Sequence, residues 1–87
     1  MRQWERITPA IAAEWLTRAT KQRVSASLVE VYARKMREGR WVGECDRRFD
    51  PIRLDWQGRV TDGHHRLHAI VRSGVTVECI VLRRLRP

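Results

Sequence analysis

Five consecutive residues, Asp62-Gly63-His64-His65-Arg66, combine side chains suited to holding a phosphate group and moving a proton beside it. Glycine permits close approach of a ligand to the backbone. Arg66 offers a planar fork for two phosphate oxygens. His64 and His65 can donate hydrogen bonds or shuttle protons near neutral pH, which makes them the candidate catalytic pair. Asp62 has two readings: it is an ordinary helix N-cap that takes up backbone N–H groups, or a ligand for a metal ion or a ribose hydroxyl. His64 and His68 stand four apart, a spacing that suits a transition metal, but no third ligand is evident and no metal site is expected.

The box gains its meaning from the elements around it. Val60 and Thr61 end a strand signal, and apolar positions at helical spacing resume after Gly63, with Leu67, Ile70 and Val71 on one face up to Ser73-Gly74. A strand therefore delivers the box into the start of a helix, where backbone N–H groups and the helix dipole attract anions, each charge interaction contributing about 0.3–1 kcal/mol when exposed. Upstream, Pro51–Trp56 and Arg59–Thr61 read as a β-hairpin closed by Gln57-Gly58. Downstream, Val75–Leu82 is apolar on both sides in its C-terminal half, as in a strand inside a sheet.

Two helices precede these elements. Thr8-Pro9 is a strong start signal for a helix from Pro9 to about Ala19, with Ile11, Ala12, Trp15, Leu16 and Ala19 as its buried stripe. Ser27 and Glu30 have capping-box spacing in a second helix over Ser25–Glu38, whose stripe is Leu28, Val31, Tyr32 and Met36 and which stops at Gly39. Its outer face carries Arg34, Lys35 and Arg37, which face either phosphates or water. Residues 43–50 have no consistent period and read as a loop. The expected fold is a small α/β (α+β) domain of order α-α-β-β-α-β, with a mixed sheet and helices packed on it.

Length and charge restrict the possibilities further. Eighty-seven residues leave room for one domain with a modest core, spanning residues 1–87: helical over 1–41, with the hairpin, helix and last strand over 51–83. Hydrophobic residues at 43% and charged residues at 32% indicate a chain that folds. There is no apolar run of membrane-spanning length and no secretory leader, so a cytoplasmic location and no membrane partner are expected. Cys45 and Cys79 fit a reducing compartment and make no metal-site spacing. A net charge of +8 and a pI near 11.2 imply attraction to polyanions. Trp15 and Trp41 read as core; Trp56, at the hairpin turn, is the tryptophan placed to stack on a base.

Over Asp62-Gly63-His64-His65-Arg66-Leu67-His68-Ala69 the sequence resembles the ParB/sulfiredoxin superfamily, in which a hairpin strand carries a Gly-x-x-Arg box into a helix. The hairpin, the helix and the strand Val75–Leu82 follow that family's order, and residues 7–41 are similar to the helical front half of small ParB-like domains of bacteria and phages. The resemblance implies that Gly63 and Arg66 hold the phosphates of a nucleotide, CTP, ATP or ADP, with Mg2+, and that His64 and His65 sit beside them. Sulfiredoxin needs a cysteine where this chain has His64, which excludes that activity. ParB has Glu and Arg at His64 and His65, and its DNA-reading segment would lie beyond Pro87. A related free-serine kinase resembles the box more closely but needs an upstream carboxylate, for which the candidates are Glu44, Asp46 and Asp50.

Three functions are compatible with these residues. The first is a ParB-like nucleotide-binding module, a DNA-associated regulator of a phage or mobile element that dimerises around its ligand. The second is a sequence-nonspecific nucleic-acid-binding protein that grips the backbone through the box and through Arg34, Lys35, Arg37 and Trp56. The third is an enzyme, a small phosphotransferase or a nuclease.

Overall fold

Strand Arg2–Ile7 is where the structure departs most from the sequence pattern. A computed structural model of the chain describes residues 2–41 and 51–86, and its element order is β1 (Arg2–Ile7), α1 (Pro9–Leu16), α2 (Ala26–Arg37), β2 (Ile52–Leu54), β3 (Val60–Asp62), α3 (His64–Ser73) and β4 (Val77–Arg83). The expected order lacked β1. Only Ile7 in this strand is buried, so no apolar alternation announces it. It forms because it pairs antiparallel with β4, from Arg2 opposite Leu82 to Ile7 opposite Val77, and because Arg83 clasps Glu5 through two guanidinium–carboxylate bonds.

The result is a small α+β fold: a four-stranded mixed sheet of order β1-β4-β2-β3 with, among the described residues, three helices. Strand β4 is interior, as its two-sided apolar pattern requires, and runs parallel to β2. The hairpin β2–β3 is antiparallel, with a register shift between Arg53 and Leu54. Its connection is longer than a two-residue Gln57-Gly58 turn. Asp55 pairs with Arg59, and its carboxylate accepts from the N–H groups of Gln57 and Arg59 at 2.9 and 2.8 Å, leaving a three-residue loop in which Gly58 takes the left-handed conformation (φ 83°).

Helix α1 starts where Thr8-Pro9 predicts, with Thr8 Oγ1 accepting from Ile11 N–H at 3.0 Å. It ends at Leu16 rather than Ala19 because the next three N–H groups bond three residues back, a tighter winding. Helix α2 is capped by Ser25, whose Oγ accepts from Leu28 N–H at 3.3 Å. The Ser27–Glu30 capping box does not form: Glu30 turns outward to Arg37 at 2.9 Å and Arg72 at 3.0 Å. The buried stripe of α2 is accordingly Val29, Ala33 and Met36, and Val31 is exposed.

The core lies between the sheet and the helices. Ala12 and Trp15 of α1, the α2 stripe, and Leu67, Ala69 and Ile70 of α3 meet Ile52, Leu54, Val60, Cys79 and Val81 of the sheet. Val71, expected on the buried face, is exposed, and Ala69 takes its place. Helix α3 packs against α1 and α2 together, so its buried face is turned toward the side carrying Ala69. Trp15 and Trp41 are core residues, and Tyr32 packs against Trp41 with ring centres 5.2 Å apart and planes tilted by 59°. Among the described residues, no helix is long and apolar enough to cross a membrane.

Candidate functional site

Gly63 is the residue on which the box turns. Its φ of 106° is a conformation that L side chains rarely adopt. A Cβ placed on it would lie 3.0 and 3.2 Å from the two γ-carbons of Ile52 and 3.3 Å from its Cα. Glycine is therefore required for β3 to hand over to α3 while staying packed on β2. That is a packing reason, where the sequence suggested access for a ligand.

Asp62 is not the N-cap of α3. Gly63 occupies that position, no side chain among the described residues caps the helix, and the first main-chain bond runs from Leu67 N–H to the Gly63 carbonyl. Asp62 instead lies half-exposed at the end of β3, 3.7 Å from Arg53 Nε. Its carboxylate thus remains at the surface beside an uncapped helix start, where the dipole favours negative charge.

The three side chains that follow reach other segments. His64 is buried, and its Nε2 donates to the Thr20 carbonyl at 2.8 Å; that direction follows because a carbonyl oxygen can only accept. Its Nδ1 is buried with no hydrogen-bond partner among the described residues. The Nε2 of His65 accepts from Ser25 N–H at 3.0 Å, so the two rings carry opposite tautomers when neutral. Arg66, half-buried, donates from Nη2 to the Pro51 carbonyl at 3.2 Å. Thr20 is further tied to β3, its N–H and its hydroxyl donating to the Val60 carbonyl at 2.9 and 3.1 Å.

The start of α3 is thus a junction that fastens residues 20–25 and Pro51 to the sheet. Those partners are main-chain atoms, so no side-chain pattern in the sequence could have revealed them. His68 lies one turn further along α3, and burial, followed by the nearby His64 and His65 rings, holds its pKa below the ordinary histidine value. Among the described residues, no group of three or more His, Cys, Asp or Glu side chains is arranged to hold a metal ion. Glu44, Asp46, Asp50 and Cys45 lie outside the described residues.

The basic residues of α2 belong to a different place. Ser25, beside His65, starts the helix, and Met36, 3.8 Å from Ser73 Oγ, lies near its end. At 1.5 Å per residue these points are about 16 Å apart, so Arg34, Lys35 and Arg37 stand near the far end of α3. Arg34 is exposed, Lys35 is half-buried, and Arg37 is paired with Glu30. Trp56 is exposed on the hairpin loop, with the Arg86 guanidinium 5.5 Å from its ring centre. The chain matches no family model, no curated protein and no solved structure.

Proposed function

We propose that the chain is a ParB-like module that binds a phosphate-bearing ligand, a nucleotide, at the start of α3. The observation that carries this reading is a helix N-terminus that no side chain among the described residues caps, bordered by Arg66 in its first turn. Phosphate oxygens accept from main-chain N–H groups and gain from the helix dipole at such an end. The bond from Arg66 to the Pro51 carbonyl holds the guanidinium near the helix start. The net charge of +8 draws in the anion. His64 and His65, held by Thr20 and Ser25, define the shape of the junction rather than supplying a mobile acid and base.

Melting-temperature measurements with CTP, ATP and ADP, each with and without Mg2+, test this reading. A nucleotide at about 100 times its Kd stabilises by about 2.7 kcal/mol, a shift of several degrees for a domain of this size. The shift is lost in Arg66→Ala and partly kept in Arg66→Lys, both checked for folding by circular dichroism. No shift with any of the three nucleotides would refute the proposal.

A further inference from the structure

The two faces of the sheet are unlike. Side chains alternate across a strand, so the register puts Glu5, Ile7, Cys79 and Val81 on the helix-covered face and Arg2, Trp4, Arg6 and Ile80 on the other. Ile80 is only 8% exposed yet stands outside the core cluster, and its cross-strand partner Trp4 is 48% exposed. Arg2, Gln3, Trp4 and Ile80 line a cleft of about 240 Å³. Pockets for drug-sized ligands start near 300 Å³, so this one suits a single flat ring.

We propose that this face binds single-stranded nucleic acid, with one base stacked on Trp4 above Ile80 and flanking phosphates taken by Arg2 and Arg6. Arg2, Trp4 and Arg6 occupy alternate positions on one strand, about 6.8 Å apart, so an aromatic ring has a cation on either side. Arg2 and Arg6 are exposed, and neither makes an ion pair with a described residue. Among the described residues, the acids on this face are Glu78, opposite Arg6, and Asp62, which sits beside Arg53 at the far edge of the sheet. The end at Arg2 and Trp4 therefore remains positive. An aromatic surface bordered by arginines is what unpaired bases on a phosphate backbone require, whereas a duplex keeps its ring faces stacked inside. A second copy of the chain would bring arginines against arginines. Trp4 lies on the β1–β4 ladder, apart from the uncapped start of α3, so this inference stands independently of the nucleotide reading.

Fluorescence polarisation of a labelled oligothymidylate of about 12 nucleotides tests it. The intact chain is expected to bind the single strand more tightly than a duplex of the same length, with affinity that falls as salt rises. Trp4→Ala weakens binding about tenfold or more, and Trp4→Phe keeps most of it. Arg2→Ala with Arg6→Ala lowers the salt slope by about 1.4. Equal affinity of Trp4→Ala and the unaltered chain, preference for the duplex, or no binding overturns the proposal. A protein dimer that forms without oligonucleotide and is lost in Trp4→Ala overturns it too, assigning the face to a second copy.

Discussion

His64 donates from Nε2 to the carbonyl of Thr20, 44 residues earlier in the chain, across 2.8 Å and from a ring only 4% exposed. This bond fixes the connection between α1 and α2 against the first turn of α3. His64→Ala removes the donor, strands a carbonyl and leaves a void, and is expected to cost about 2–4 kcal/mol in urea denaturation. His65→Ala, at a more exposed ring, costs less than about 1 kcal/mol. Equal effects of the two substitutions would contradict the structural weight placed on His64.

Gly63→Ala is expected to destabilise the fold more than Gly74→Ala. Each position has a positive φ, 106° and 72°, and a side chain there costs about 1–3 kcal/mol of backbone strain. At Gly74 nothing lies within 4 Å of the added Cβ, but at Gly63 the methyl meets Ile52 at 3.0 Å. Guanidinium melts of the two variants give the comparison, and a smaller loss at Gly63 than at Gly74 would show that Ile52 yields freely.

Stability is expected to fall as pH drops below neutrality. His68 is held below its ordinary value by burial and by its histidine neighbours, so the folded chain takes up this proton less readily than the unfolded one. The contribution is complete above about pH 6.5, the unfolded value, and is lost as pH falls from there through the lower folded value. The urea midpoint should be lower at about pH 5 than at about pH 7.5, with a smaller difference in His68→Gln. An unchanged midpoint would remove the histidine cluster from the account.

Local signals in the sequence were accurate wherever one residue answers to one backbone need. Thr8-Pro9 starts α1, Gly63 and Gly74 bound α3, and the apolar run after Val77 is an interior strand. Features decided by distant partners were not legible. Arg2–Ile7 has a polar pattern and becomes a strand only beside β4. Asp62 has the side chain of a cap, yet the left-handed turn at Gly63 takes that position. Ser25 and Ser27 are equally good caps by type, and Ser25 is used because its own N–H is already anchored to His65. At the candidate site the residue types were legible, but their main-chain partners at Thr20, Ser25 and Pro51 were not.

The pairing of β1 with β4 also orders the folding of the chain. As the polypeptide grows, β1 is made well before its ladder partner, so residues 2–7 wait for that pairing until β4 has been synthesised. The edge of the sheet waits for a contact distant in sequence. Loops of that span close slowly. The charged, largely polar make-up of β1 suits a segment that must wait, because a strand without an apolar face is a poor template for aggregation during that interval.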